Sequence, residues 1–309
     1  MIRRAAKSIQ KALSRVPLIH RALRAVWVPP QRIYQHLYFR GTFDVEIPGH
    51  GRFELETLGG EAENELFWRG FAETWERRSL RIWCHLARTA NCIVDVGANS
   101  GIYSLAAQVV NPSAKVIALE PSRRVFELLS RNIRRNSLPI EPLEVAASDV
   151  SGTATLFDTP DAFQTGASLV APPEARVERY DVRVERLDSI VEGRCPAGVD
   201  LLKIDVEMHE ATVLRGMQRT LEESSPRMLV EVLTDELGAE IEEILKGFGY
   251  VFVPIDEDAG AADSTPETSR NVLICRPEVL DDLRSSFPDL RPVAHLARPS
   301  FVQRAAATR

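Results

Sequence analysis

The chain has 309 residues, 44% hydrophobic and 27% charged, enough for a large buried core, and no run of about eighteen uninterrupted apolar residues suggests a membrane-crossing helix. The net charge of −6 hides an asymmetry, because residues 1–40 hold nine Lys or Arg and no acid while the remainder holds 29 basic against 44 acidic residues, a net of −15. An acidic body argues against nucleic acid as a partner.

In the basic arm, residues 1–40, Ile2, Ala5, Ala6, Ile9, Ala12, Leu13 and Val16 recur at helical spacing, with Arg3, Arg4, Lys7, Lys11 and Arg15 between them. The pattern fits a helix packed on the body or solvated, or one lying on an anionic membrane surface through residues 1–28. It lacks the continuous apolar stretch of a secretory signal, and an acid-poor, Arg-rich start also suits an organellar transit peptide in a eukaryote. Pro17, Pro29 and Pro30 segment any helix here.

Residues 41–90 read as a cap. Alternating apolar and polar residues flank Pro-Gly-His-Gly over 41–58, which predicts a β-hairpin. Leu66, Phe67, Phe71, Trp75, Leu80, Trp83 and Leu86 then follow a helical period, so the aromatics are expected in the core, although such a helix can also roof a pocket.

From residue 91 to 276 apolar strands alternate with amphipathic helices, predicting an α/β doubly wound, mostly parallel sheet covered on both faces. "IEPLEVAAS" is read as one strand, "GTATLF" as hairpin-like and 159 to about 175 as a loop. "YVFVPID" and "NVLICR" have no helix between them and are expected to pair antiparallel at one edge, joined by a mobile loop. Residues 277–309 are taken as a poorly ordered tail. Cys84, Cys92, Cys195 and Cys275 show no metal or paired spacing and read as reduced thiols of a cytoplasmic protein.

"VDVGANSG" sits at the seam of the first strand and helix of this pattern. Gly97 and Gly101 let backbone approach a ligand there, and Asn99 tolerates left-handed geometry. The spacing is not that of a pyrophosphate-binding turn, and Asp95 would repel a phosphate but attract a sulfonium or an ammonium. S-adenosyl-L-methionine carries both cations and no phosphate. Glu120, ending the second strand, is placed to accept the ribose hydroxyls, and Asp149 could meet the adenine edge.

"KIDVEMHE" gathers Lys203, Asp205, Glu207, His209 and Glu210 at the next candidate strand end, and Glu231 ends the following strand. Oxygen ligands here would suit Mg²⁺, but no metal is expected. Reacting groups sit at such strand ends, and Asp205 is the first candidate for a general base, then His209 and Glu207.

The blocks "VDVGANSGIYSLAA", "ALEPSRRVFELLSRNIRRN", "AASDVSGTATLF", "VERLDSI", "LLKIDVEMHEATVLRGM" and "RNVLICRP" resemble, in order, the FkbM-family methyltransferases over residues 65–276. The resemblance implies a seven-stranded, Rossmann-like class I fold with an N-terminal helical and hairpin extension. It also implies S-adenosylmethionine-dependent O-methylation of a sugar, glycan, glycolipid or secondary metabolite, that is, a small-molecule or saccharide acceptor. By family motif, Asp95, Gly97, Asn99 and Gly101 fall at the methionine end, Glu120 at the ribose and Asp149 at the adenine. Asp205, Glu207 and Glu210 fall in the fourth-strand site, with Met208 and Glu231 as further acceptor contacts. Met208 stands where the family usually has Gly, so its side chain is expected to fill part of the acceptor pocket or alter the turn. A cofactor-binding partner subunit with weak catalysis is the alternative.

Overall fold

β-Branched and other apolar runs build the sheet, and amphipathic segments between them become the helices that cover it. The computed structural model describes residues 17–158, 167–170, 178–257 and 271–296. The helical pattern over Ile2–Val16 and most of the two long loops lie outside the described residues.

The described chain begins with helix α1 (Pro17–Val26) and a short α2 (Gln31–Tyr34). The expected hairpin follows as β1 (Gly41–Ile47) and β2 (Gly51–Thr57), paired antiparallel with Phe43, Val45, Ile47, Phe53 and Leu55 buried. The next helical pattern is broken in two, α3 (Glu61–Arg69) and α4 (Arg77–Ala87). Gly70, at φ 76°, ends α3 in a conformation that suits glycine. The break frees Trp75 and Glu76 from helix geometry.

The alternating region gives β3 (Cys92–Val96), α5 (Ile102–Val110), β4 (Lys115–Leu119), α6 (Arg123–Asn136) and β5 (Ile140–Leu143). Then come β6 (Ala146–Ser148), β7 (Gly152–Asp158), β8 (Ala167–Ser168), β9 (Glu178–Arg186) and α7 (Leu187–Val191). The chain continues with β10 (Leu201–Ile204), α8 (Glu210–Arg215), α9 (Gln218–Ser224), β11 (Arg227–Glu231), α10 (Asp235–Leu245), β12 (Val251–Pro254), β13 (Asn271–Cys275) and α11 (Pro277–Leu283).

Seven strands form the main sheet in the order β12-β13-β11-β10-β3-β4-β5, with β13 alone reversed. The last two strands do pair antiparallel, but β13 is inserted between β12 and β11 instead of lying outside them. "IEPLEVAAS" is not one strand: β5 stays in the main sheet, while β6 leaves it to pair with β9 in a second sheet of order β6-β9-β7-β8. That departure carries Val145–Ala147 across the carboxyl end of the main sheet.

Two cores flank the main sheet, and strand alternation divides residues between them. Ile93, Leu201 and Leu229 face the cap and α5; Val94, Leu202 and Val230 face α8, α9 and α10. Trp83 donates from its indole to the Tyr103 carbonyl at 2.9 Å, which ties α4 to α5. Residues 277–296 depart from the expectation of poor order. Leu280, Leu283, Phe287 and Leu290 bury themselves in the cap-side core, the first two on the inner face of α11.

The expectation of four reduced thiols is also corrected. Cys92 at the start of β3 and Cys195 after α7 meet as a disulfide, their Cα atoms 5.9 Å apart across 103 residues of sequence. Cys84 and Cys275 are buried thiols. Among the described residues no helix is long and apolar enough to cross a membrane.

Candidate functional site

A cleft opens at the carboxyl ends of β3, β4, β10 and β11, where a doubly wound sheet leaves room for a ligand. Its empty volume, including space open to solvent, is about 960 Å³.

The floor comes from the turn after β3. Gly97 and Ala98 donate their amides to the Leu119 carbonyl at 3.0 and 2.9 Å, so the turn is pinned to β4. Gly97 has φ 81°, and a Cβ there would lie 1.9 Å from the Asp205 carbonyl oxygen; the two strand ends pack backbone to backbone. Gly101, at φ 96°, starts α5 and packs against Leu129, away from the cleft. Asn99, at φ 52°, lines the cleft, and its side-chain oxygen is buried without a partner.

Glu120 lies buried where β4 ends. Its carboxylate accepts the amides of Asn99 at 3.0 Å and Ser122 at 2.8 Å. Burial pushes its pKa up to about 7 against the opposing effect of those two amides. Asp95 is buried below the floor, where it accepts the Ser104 hydroxyl at 2.6 Å and is pushed up to about 6 by burial. It does not line the cleft, and neither does Asp149, whose carbonyl accepts from Arg186 at 2.8 Å. Val145, Ala146 and Ala147 line that side instead.

The other wall is the turn after β10. Asp205, Glu207 and His209 all reach the cleft, as does Glu231 from β11. Lys203, 1% exposed, donates to Asp205 Oδ2 at 2.9 Å and lies 5.1 Å from the centre of the Tyr103 ring. Burial works against its charge, but Asp205, Glu76 and Glu231 more than compensate and raise its pKa. Burial, with Asp205 adding and Lys203 opposing, pushes Glu231 up to about 9. Burial also raises Glu207. Burial lowers His209 below its ordinary value, with Asp149 opposing, so the imidazole is held neutral. His209 Nε2 lies 3.4 Å from the Ser148 hydroxyl.

Met208 and Glu210 do not line the cleft. Met208 takes φ 76° with its side chain exposed, so it does not fill the pocket as the resemblance suggested. Glu210 is fully buried and accepts the Val206 amide at 2.9 Å, holding the turn from beneath, and burial pushes it up to about 7. Among the described residues no group of three or more His, Cys, Asp or Glu is arranged to hold a metal ion.

The cap segment does roof the cleft, as its helical pattern allowed, but the sequence reading did not single out Glu76 or the second sheet. Trp75, Glu76 and Ala62 come from the cap, and Leu156 and Leu169 from the second sheet. Glu76 accepts from Tyr103 at 2.8 Å and from Asn271 at 2.5 Å, joining cap, α5 and β13 around Lys203. The one available signal was an acid inside an apolar helical pattern, "AETWERR". Ser168 on β8 donates to the Glu207 carbonyl at 2.7 Å, a contact with no local sequence signal.

The described cleft lining therefore holds five carboxyl groups (Glu76, Glu120, Asp205, Glu207 and Glu231), one neutral His and no Lys or Arg. The lining offers no cation to hold a phosphate, and its carboxyl groups, partly neutralised by burial, can accept from hydroxyl and ammonium donors.

Residues 95–252 match the methyltransferase FkbM domain family. The chain is similar to the methyltransferase sdnD of Sordaria araneosa, 30% identical over 192 residues that cover 48% of this chain and 73% of that protein. It is 28% identical over 195 residues to the 31-O-demethyl-FK506 methyltransferase FkbM of Streptomyces tacrolimicus, covering 54% of this chain and 75% of that protein. With the hexuronic acid methyltransferase AglP of Haloferax volcanii, identity is 27% over 184 residues, covering 59% of this chain and 71% of the other.

Proposed function

The chain belongs to the FkbM family of methyltransferases, and from that premise we propose that it uses S-adenosylmethionine to methylate a hydroxyl of a sugar, glycan or similar small metabolite. The observation that carries the reading is the described cleft lining, whose carboxyl groups can accept from hydroxyl and ammonium donors and which has no Lys or Arg to hold a phosphate, as suits a ligand with a ribose, an ammonium and a sulfonium. Two of the relatives support the acceptor class, named for a hexuronic acid and for 31-O-demethyl-FK506.

The residues fit the cofactor. Glu120 would accept the ribose hydroxyls, the Gly97–Asn99 turn would meet the methionine end with its unpartnered Asn99 oxygen, and Val145–Ala147 would face the base. Bound there, S-adenosylmethionine supplies a methyl group made electrophilic by the sulfonium. The wall after β10 would bind and orient the acceptor, since in-line displacement depends chiefly on placement. An alcohol attacks faster as its proton leaves. Asp205 is held in one orientation by Lys203, and His209 is neutral and free to take a proton; both line the cleft. Glu231 would hydrogen-bond an acceptor hydroxyl.

Calorimetric titration with S-adenosylhomocysteine tests the cofactor half. Wild-type binding that Glu120→Gln weakens by about tenfold, or about 1.4 kcal/mol, is expected. No binding by the wild type would overturn it. Single-turnover methylation of hydroxyls on a hexuronic acid and on 31-O-demethyl-FK506 tests the rest. Asp205→Asn and His209→Gln should slow the step with cofactor affinity unchanged.

A further inference from the structure

Outside the cleft, exposed apolar surface is concentrated in one place. Of the nine large hydrophobic side chains exposed among the described residues, six lie between residues 18 and 33: Leu18, Ile19, Val26, Trp27, Val28 and Ile33. The concentration follows from how α1 docks. His20 is buried against Phe39 and Trp68, with ring centres 6.1 and 5.9 Å away; Leu23 packs on the same core, and the Arg24 guanidinium sits 5.0 Å from the centre of the Phe67 ring. Helical spacing then turns Leu18, Ile19, Ala22, Ala25 and Val26 to the opposite side, away from the body. A soluble helix normally shows the reverse, its polar face outward.

The charges carried by this segment itself are of one sign, and Arg21 also donates to the Thr42 carbonyl of the hairpin. Arg21 and Arg32 are exposed beside it, and no acid occurs anywhere in residues 1–40. Arg3, Arg4, Lys7, Lys11 and Arg15 precede it in sequence. Aliphatic residues on the outer side of a helix, followed in the chain by an exposed tryptophan and accompanied by arginines, match the apolar and anionic layers of a lipid surface.

We propose that the outer face of α1, with Trp27, Val28 and Ile33, docks the protein onto anionic phospholipid bilayers. The inserted groups are aliphatic and indole side chains, and Arg21 and Arg32 contact headgroup phosphates. Among the described residues no helix is long and apolar enough to cross the bilayer. α3 connects this surface to the cleft, because Phe67 and Trp68 receive α1 while Ala62 lines the cleft. Docking holds whatever hydroxyl the cleft serves, so it stands apart from the reaction proposed above.

Flotation of the full chain with vesicles of phosphatidylcholine alone, or mixed with phosphatidylglycerol, tests the proposal. The wild type should partition about tenfold more strongly to the anionic vesicles, and added salt should weaken binding. Leu18 is 73% and Val26 83% exposed, so Leu18→Glu/Val26→Glu should keep the wild-type unfolding midpoint yet lose at least about tenfold in partitioning. Arg21→Glu/Arg32→Glu should abolish the preference for anionic lipid. Equal partitioning of the wild type to both vesicles would overturn the proposal. So would wild-type binding by Leu18→Glu/Val26→Glu, which would assign the affinity to the preceding basic residues. A lipid-free dimer that the same variant dissolves, with no vesicle binding, would assign the face to a second copy.

Discussion

After β3 the chain turns on Gly97 and Gly101, at φ 81° and 96°, where glycine carries no steric penalty. After β10 it makes a comparable turn on Glu207 and Met208, at φ 55° and 76°, where side chains do carry one. The first turn gives up side chains so that backbone can approach backbone, and its neighbour Glu120 is satisfied by two amides. The second keeps its side chains, accepts strain, and rests on Glu210, whose Oε2 is buried without a partner. One wall of the cleft is thus built for fit, and the other holds chemistry at a cost in stability.

The two walls share one buried cation. Lys203 on β10 is the sheet neighbour of Asp95 on β3 and bonds Asp205, while it also eases the charges of Glu76, Glu207, Glu210 and Glu231. Lys203→Met should therefore produce the largest effect, a loss of about 3–5 kcal/mol, because removing one partner strands buried carboxylates. Denaturant unfolding measures it. A loss below about 1 kcal/mol would mean those carboxyls are already neutral and that the walls are not joined by charge.

Gly97→Ala comes next, since its Cβ would fall on the Asp205 carbonyl and its φ is unfavourable. We expect about 3 kcal/mol of destabilisation and loss of cofactor binding. Gly101→Ala meets only the movable end of Leu129 and should cost about 1–2 kcal/mol. Equal costs would show that φ alone, and not the approach of β10, explains the first turn.

The pH dependence separates the walls further. Glu120 and Glu210 both titrate at about 7, against an ordinary carboxyl value near 4.3, so the folded chain binds more protons than the unfolded chain across that interval. Their contribution to stability is complete below about pH 4 and is lost as pH rises through about 7. Cofactor hydroxyls donating to Glu120 favour its anion, so S-adenosylhomocysteine affinity should rise between about pH 6 and 8, by no more than about tenfold per unit. Glu120→Gln should flatten that rise, while Glu210→Gln leaves it in place. A flat wild-type profile would remove Glu120 from the ribose.

The position of the first turn was legible in the sequence because its logic is local, although Asp95 lies beneath the floor and Gly101 packs away from the cleft. Asp95, Gly97, Asn99, Gly101 and Glu120 lie within 26 residues of each other, on a strand–helix–strand pattern whose period is strong. The second wall was half legible. Asp205, Glu207, His209 and Glu231 reach the cleft, but Glu210 and Met208 sit in the same short motif and turn away from it, which only backbone dihedrals decide. The roof was legible only as a helical pattern containing Trp75; Glu76 was not, because the period is broken by Gly70 and its place follows the break. The insertion of β13, the departure of β6 and the meeting of Cys92 with Cys195 are long-range pairings that no local pattern encodes. The poorly ordered tail was a misreading of a different kind. Arg and Pro dominated its composition, yet Leu280, Leu283 and Phe287 already had core spacing.

Met208→Gly is the smallest effect and isolates the strain of the second turn. A non-glycine residue at φ 76° costs about 1–2 kcal/mol, and glycine loses about 0.5–1 kcal/mol more conformational freedom on folding. The Met208 side chain is 38% exposed and does not line the cleft, so its removal forfeits little burial. The difference leaves a net gain of about 0.5–1 kcal/mol, readable as a raised unfolding midpoint. KM for the acceptor should stay within about twofold of the wild type if the acceptor is held by the wall of Asp205, Glu207, His209 and Glu231 alone. A raised midpoint with a large change in KM would mean that the acceptor extends past the cleft onto the exposed methionine. Met208 would then serve the longer part of the acceptor, and its strain would be a cost of recognition.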